Sequence, residues 1–353
     1  MTPVRAVDVV PGKQQRPARD ALIRPGRATI VDVARLAGVS RQTVSRAIND
    51  KEEIDPATKE RVMAAVRTLD YRPSRHARGL RRAGSVTIGL VVSDLANPYF
   101  PEVAAGVLEV AKPQGWNVTV YESRHDPEEE SEALDLLSGQ ADAIVGYFDS
   151  TDDVLARHAA GLPIVLLERA PDQTRFGSVG IDFATGMRVA MAHLVERGHR
   201  RIGMLDCAMP GTRSLRGEYF LAEARAQGLA VGPDWVARCD DHNVAAGERA
   251  VDRLLERHPE VTAVVGFNDL IAIGGMRAAR RGGRRVPHDV AVVGFDGLSL
   301  GELVEPALTT LCIDKRQVGR LAVEQVAQML AGKEPAVGEG TWVVPELVAR
   351  AST

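Results

Sequence analysis

Arg41, Gln42, Ser45 and Arg46 lie within six residues of one another, spaced so that one side of a helix would carry all four. An arginine can donate two hydrogen bonds to guanine O6 and N7, and a glutamine can pair with adenine N6 and N7. Each such pair separates a right base from a wrong one by about 1–3 kcal/mol. The chemistry on offer is the reading of base edges in a DNA major groove. Thr29, Ser40, Thr43 and Asn49 flank these four and add hydroxyl and amide groups that can hold phosphate or bases.

The surrounding residues are those that would position such a helix. Thr29 precedes an apolar-periodic run, with Asp32 three residues on, the carboxylate form of an N-terminal capping pattern. Val33, Ala34 and Ala37 then share one helical face, and small Ala34 lets a second helix approach. Gly38 can take the positive φ of a tight turn. Ser40 can cap a second helix that turns Val44, Ala47 and Ile48 inward. This is the spacing of a helix-turn-helix, whose second helix enters the major groove. Asp55-Pro56 then predicts a third helix, running to about Asp70 and burying Val62, Val66 and Leu69, before Tyr71-Arg72-Pro73 ends it.

Charge follows the same division. Residues 1–84 hold 18 Lys/Arg against 9 Asp/Glu, and residues 85–353 hold 26 against 38. A basic head on an acidic body is the electrostatic footprint of a DNA-binding module. Residues 1–28, with Arg16, Arg19, Arg24 and Arg27 among prolines, read as a flexible basic tail. With 353 residues and 45% hydrophobic content, two or three soluble domains are expected. No run reaches the roughly 20 apolar residues of a membrane span, so no membrane partner is expected. The N-terminus shows no signal-peptide core, and Cys207, Cys239 and Cys312 form no C-x-x-C pair. Reduced cysteines in a cytoplasmic protein are the expectation.

From Ser85 the pattern changes. Apolar runs at 86–92, 116–121, 143–148, 164–167, 202–206, 261–267 and 290–295 read as strands, with helical stretches between most of them. That alternation predicts parallel sheets covered by helices, and so many units point to two lobes. Ligands of such sheets bind beyond the carboxyl ends of the strands. The polar and aromatic residues there are Tyr99-Phe100, Phe148-Asp149, Glu168-Arg169, Asn268-Asp269 and Asp296, with Arg216 on a later helix. Taken singly, each is equally well explained as a cap or turn residue. Together they offer planar bidentate groups for adjacent hydroxyls and rings to lie against a sugar.

The chain resembles the lactose-repressor (LacI/GalR) family of transcription regulators. The stretches that carry the resemblance are TIVDVARLAGVSRQTVSRAIN, LDYRPSRHARGL, HLVERGHRRI, VVGFND, VPHDVAVVGFDG, PALTTL and PELVARAST, from Thr29 to Thr353. The resemblance implies a small all-α helix-turn-helix head (29–73) and a hinge (74–84). It also implies a two-lobed, periplasmic-binding-protein-like α/β core (85–353) that binds effector and dimerises. The chain would cross between lobes near Asp182, Thr310 and Thr341. Lobe one would hold about 85–182 and 311–341, and lobe two about 183–310 and 342–353. In the hinge, Leu80 matches a leucine that wedges into the minor groove, and Tyr71 and Arg78 join the DNA contacts. The implied effector site is Phe100, Phe148, Arg169, Arg216, His242, Asn268 and Asp296. The implied function is a repressor that binds a palindromic operator as a homodimer, controlled by a sugar or sugar derivative, with no cofactor.

Departures from the family pattern bear on the ligand. His242 stands where an aromatic stacking residue is common, Arg216-Gly-Glu-Tyr219-Phe220 lacks the family's later glycine, and Lys315 replaces an apolar or aromatic residue. These point to a more polar pocket, open to a phosphorylated or acidic effector. No P-loop or HExxH occurs. His193 and His199 read as packing and capping residues, and Glu128, Glu129 and Glu130 as a solvated first turn. A periplasmic sugar receptor, the rival class, would carry a signal peptide and no basic head. A sugar-metabolising enzyme would turn over its ligand. After PELVARAST no leucine heptads follow, so a dimer rather than a tetramer is expected. A helix from Pro101 would present Val103, Val107 and Val110 to the symmetry mate.

Overall fold

The computed structural model describes residues 30–48, 54–69, 86–159, 161–169, 174–208, 214–333 and 341–353. Thr29, Asn49, Tyr71, Arg78 and Leu80, with the tail and hinge, lie outside the described residues. The chain divides into two compact units, Met1–Leu80 and Arg81–Thr353.

The first unit contains α1 (Ile30–Ala37), α2 (Arg41–Ile48) and α3 (Pro56–Thr68). Val33, Ala34, Ala37, Val44, Ala47, Val62 and Ala65 form its buried core. Gly38 turns between α1 and α2 at φ +68°, where a side chain would be strained. The Ser40 hydroxyl accepts from Thr43 N at 3.1 Å and so caps α2. Asp55 does the same for α3, accepting from Thr58 N at 3.0 Å. The third helix ends at Thr68, with Leu69 as its C-cap.

The second unit holds two six-stranded sheets. Its early elements are β1 (Thr87–Val92), α4 (Tyr99–Ala111), β2 (Asn117–Glu122), α5 (Pro127–Gln140), β3 (Ala143–Gly146), α6 (Asp152–His158), β4 (Ile164–Leu167) and β5 (Gly177–Ile181). There follow α7 (Phe183–Glu196), β6 (Ile202–Asp206), α8 (Leu215–Ala226), β7 (Val236–Arg238), α9 (Val244–Arg257), β8 (Ala263–Gly266) and α10 (Asp269–Arg281). The last are β9 (Ala291–Asp296), α11 (Leu300–Leu303), β10 (Thr309–Cys312), α12 (Lys315–Leu330), β11 (Thr341–Val343) and β12 (Glu346–Val348). The first sheet runs β11-β5-β4-β3-β1-β2 and the second β12-β10-β9-β8-β6-β7. Every pairing is parallel except β10 with β12.

The chain leaves the first sheet after Ile181, returns after Cys312 and leaves again after Val343. The last two crossings fall two residues beyond Thr310 and Thr341, near which they were expected. Strand pairing is the reason: β10 stays in register with β9 through Cys312↔Asp296, and β11 with β5 through Val343↔Ile181. Two expectations need correction. Glu130 is not solvated. It is buried and accepts from Asp149 N at 2.7 Å and from Ser150 N and Oγ at 3.1 and 2.6 Å, thereby holding the turn after β3. Val103 and Val107 are fully buried in their own lobe, and Val110 packs partly against the same core. That helix face is committed to α12: a Cβ at Gly106 would lie 2.1 Å from Arg316 O, and one at Gly319 would lie 2.3 Å from Val103 O.

Candidate functional site

In the first unit, Ser40, Arg41, Gln42 and Arg46 are exposed, Thr43 and Ser45 are half-buried, and Val44 and Ala47 point inward. The outward face of α2 is therefore the polar one expected of a reading helix.

In the second unit, a cleft of about 570 Å³ opens between the carboxyl ends of the two sheets. All seven expected effector residues, Phe100, Phe148, Arg169, Arg216, His242, Asn268 and Asp296, line it. Arg216 is its centre. Ser214 starts α8 by accepting from Gly217 N at 3.1 Å, which turns Arg216 inward. Its guanidinium lies over three phenyl rings, 4.1 Å from the centroid of Phe267, 4.3 Å from Phe183 and 4.9 Å from Phe295. Two copies of Val-Val-Gly-Phe, at 264–267 and 292–295, supply Phe267 and Phe295, and the next residues are Asn268 and Asp296. One repeated tetrapeptide thus delivers both the arginine's cage and two polar groups of the site.

The support beneath Asp296 is extensive. Its backbone sits at φ +115°, a costly conformation for a side-chain-bearing residue. Lys315 Nζ donates to Asp296 O at 2.8 Å, Gly297 O at 3.0 Å and Ile313 O at 3.3 Å. The Asp269 carboxylate accepts from Leu298 N and Thr310 Oγ1, both at 2.6 Å, and occupies the space a Cβ on Gly294 would need. Burial pushes Asp269 up to about 6, and burial pushes the Asp296 carboxyl well above the carboxylate range while Arg216 pulls it back.

Residues outside the expected set complete the opposite wall. Tyr99 donates to Glu168 Oε1 at 2.6 Å, and Tyr147 donates to Tyr99 at 3.4 Å. Glu168 Oε2 lies 3.5 Å from Arg216 Nη2, an ion pair that spans the cleft. His125 stacks on His242 across the same gap, with centroids 4.4 Å apart and planes 17° apart. Burial, then the charges of His125 and Arg216, lower the His242 imidazole to about 4. Arg124, His125, Glu168 and Asp296 are, among the described residues, the non-glycine positions with positive φ. All four line the cleft.

Some assignments change once geometry is known. Arg169 donates to Asp152 Oδ1 at 3.1 Å and to the carbonyls of Phe148 and Ser150 at 2.7 and 2.9 Å, so it fastens the loop after β3. Asn268 Oδ1 caps α10 through Ile271 N at 2.8 Å, leaving its amide nitrogen facing His242 O at 3.4 Å. Lys315 does not line the cleft; its ammonium is consumed by the three carbonyls. The lining carries six carboxylates (Asp94, Asp149, Glu168, Asp240, Asp241, Asp296) against four arginines (Arg124, Arg169, Arg216, Arg238). Arg124 pairs with Glu122 and Glu129, Arg169 with Asp152 and Arg216 with Glu168. With Asp296 held protonated by burial the lining is close to balanced, which favours an uncharged effector over a phosphorylated or acidic one. His193 and His199 lie elsewhere, bonded to Thr353 Oγ1 at 2.9 Å and Thr262 Oγ1 at 3.1 Å.

Residues 85–344 match the family described as periplasmic binding proteins and sugar binding domain of LacI family. The chain belongs to the LacI family. Residues 29–74 of this LacI-family protein match bacterial regulatory proteins, lacI family, the DNA-binding part. The HTH-type transcriptional repressor PurR of Aliivibrio fischeri (strain MJ11) is 33% identical over 337 residues, covering 92% of this chain and 98% of the relative. A LacI family transcriptional regulator from Arthrobacter sp. FB24, solved in complex with lactose, is 32% identical with a TM-score of 0.69, covering 76% of this chain and 99% of that one. The lac repressor dimer bound to operator and an anti-inducer is 29% identical with a TM-score of 0.70, covering 92% and 99%. Among the described residues no helix is long and apolar enough to cross a membrane.

Proposed function

We propose that this protein is a cytoplasmic transcriptional repressor that binds a palindromic operator as a homodimer and releases or grips it according to an uncharged, hydroxyl-rich effector in the cleft. The observation that carries the effector reading is Arg216. It is about 95% buried between the lobes, yet its Nε has no hydrogen-bond partner. A buried donor left unmade costs about 1–3 kcal/mol, and a ligand hydroxyl that reaches it as the lobes rearrange would recover it. Of 7 Phe, 5 Tyr and 3 Trp in the chain, six line this cleft (Tyr99, Phe100, Tyr147, Phe148, Phe183, Phe267), and they supply the apolar face a sugar ring needs. Lactose in the Arthrobacter relative supports the same class. The groups that remain are binding groups, and the reading assigns the chain no catalytic role.

Control follows from linkage: an effector shifts the lobes only through unequal affinity for their two arrangements. Its contacts to Arg216 from one lobe and to the tyrosine wall from the other are of that kind. For DNA, two copies of α2 read two half-sites, so the operator is an imperfect palindrome. The test is selection of bound sequences from random DNA, followed by calorimetry with a panel of neutral sugars. Arg46→Ala should lower the ratio of operator to random-DNA affinity by about 10-fold or more, one base pair's worth of discrimination. Arg216→Ala should bind operator normally and ignore the sugars. An unchanged affinity ratio in Arg46→Ala would remove α2 from the reading surface.

A further inference from the structure

The cleft wall contains a chemistry that ligand binding does not use. Cys207 and Cys239 are 32 residues apart in sequence and directly follow the neighbouring strands β6 and β7. Strand β6 pairs with β7 in parallel through Asp206↔Arg238, and Cys239 N continues the ladder by donating to Asp206 O at 2.7 Å. The next residue pair in that register is Cys207 and Cys239. Neighbouring strands lie about 4.8 Å apart, within the Cα separation of about 4.4–6.8 Å that a disulfide accepts. Both side chains line the cleft, Cys207 at 8% exposure and Cys239 at 2%, so a small solute in the cleft meets Cys207 first. The two thiols sense each other. The neighbouring Cys239 thiol, ahead of burial, holds the Cys207 thiol well above its ordinary range, so little thiolate is present near neutral pH and oxidation there is slow. Cys312, the third cysteine, lies at the end of β10 and does not line the cleft.

We propose that Cys207 and Cys239 are a modification site, closed by peroxide into an intrachain disulfide in the effector cleft. The Cys207 sulfur attacks one oxygen of hydrogen peroxide and the O–O bond breaks. The departing hydroxide leaves as water with the thiol's proton, and Cys207 becomes a sulfenic acid. The Cys239 sulfur then attacks that sulfur, the S–O bond breaks, and the hydroxyl leaves as a second water with the Cys239 proton. Two sulfurs lose two electrons, and one peroxide becomes two waters. The disulfide carries no S–H, so the bond from Cys207 Sγ to Asp241 O, now 3.1 Å, is lost beside His242. Oxidation thereby alters the wall that meets the ligand. That consequence rests on the effector reading above; the formation of the bond does not.

The test treats the full-length protein with hydrogen peroxide, alkylates it under denaturing conditions and maps its peptides. The expected product is a Cys207–Cys239 linked peptide, with one alkylated thiol per chain in place of three, and dithiothreitol restores all three. Because the thiolate is the nucleophile, the rate should rise roughly tenfold per pH unit between pH 7 and 9. Cys239→Ser should give no linked peptide, and its Cys207 should instead be trapped as sulfenic acid by dimedone. Three alkylated thiols after peroxide, sulfinic acids without a link, or links only through Cys312 would overturn the proposal. A thermal-shift panel of neutral sugars separates the two readings. A response in reduced protein that is lost on oxidation and regained with dithiothreitol is expected. An unchanged response in the linked protein refutes the consequence, and no response even when reduced counts against the effector reading while leaving the linked peptide standing.

Discussion

The two lobes place their strands in the same succession and differ in how they hold the ligand. Each has its two earliest strands at one edge and its latest at the other. Each also locks a helix pair with facing glycines: Gly106 and Gly319 between α4 and α12, and Gly247 and Gly274 between α9 and α10. The cleft walls built on these frames are unlike. Lobe two presents Arg216, Asn268 and Asp296, placed by helix caps, a phenyl cage and the Lys315 carbonyl clamp. Lobe one presents phenols and Glu168, whose polar atoms bond one another in the order Tyr147, Tyr99, Glu168. Among the described residues, three of the four non-glycine positions with positive φ, Arg124, His125 and Glu168, belong to lobe one. Lobe two relies mainly on packing, with one such backbone at Asp296, and lobe one on three.

The strongest way to break the comparison is to attack the shared frame. Gly274→Val would place a Cβ where Val244 O lies 2.0 Å away, and Gly319→Val would press on Val103 O at 2.3 Å. Each should cost about 3 kcal/mol or more, because backbone cannot yield as a side chain can. Urea unfolding of both variants checks it; tolerance of one would mean that the lobes are not locked alike.

Next comes the contact between the walls. Arg216→Ala empties the phenyl cage and leaves Glu168 without its cation, for a loss of about 3 kcal/mol. Glu168→Gln keeps the Tyr99 hydrogen bond and should cost less than half as much. Equal losses in urea titrations would show that lobe one, and not lobe two, anchors the pair.

Acid should act on the histidine stack. His242 is held at about 4 when folded, against an ordinary value of 6.5. Between these values the unfolded chain binds a proton that the folded chain refuses. Stability is therefore full above pH 6.5 and is lost as pH falls toward 4, by roughly 3 kcal/mol. Burial lowers His193 and His199 as well, with the same sign. His242→Phe should flatten the slope of urea midpoint against pH without abolishing it. The smallest effect is Tyr147→Phe, which removes one 3.4 Å hydrogen bond and should cost about 1 kcal/mol or less, read as a minor change in thermal midpoint.

What the sequence makes legible follows the same division. The head reads well because its signals are local: Gly38 for the turn, Ser40 and Asp55 for the caps, and a periodic apolar face. Arg216, Asn268 and Asp296 are readable because strand ends and repeated Val-Val-Gly-Phe mark them. Strand β5 is hidden, since Gly-Ser-Val-Gly-Ile has no apolar run, and β7, β11 and β12 are only three residues long. His125 went unmarked because a left-handed φ leaves no composition signal outside glycine and asparagine, and Glu168 was marked only by its place after a strand and stayed outside the implied effector site. Glu130 looked solvated because its partners, Asp149 and Ser150, come twenty residues later. The adjacency of Cys207 and Cys239 depends on which strand lies beside β6, which spacing along the chain does not fix.

Strands β11 and β12 have a consequence for how the molecule is made. Residues 341–353 give one strand to each sheet, and Ser352 is sealed inside lobe two, its hydroxyl donating to Val292 O at 2.6 Å and accepting from Thr309 N at 2.8 Å. Thr353 closes on Thr309 and His193, both at 2.9 Å. On the ribosome, domains ordinarily finish in the order in which they emerge. Here five strands of the first sheet emerge long before the second, yet the first sheet waits for the same last segment as the second. Neither half can be completed ahead of the other: a nascent chain stalled short of Thr341 would leave β5 and β10 as bare edges, and residues 341–353 cover both.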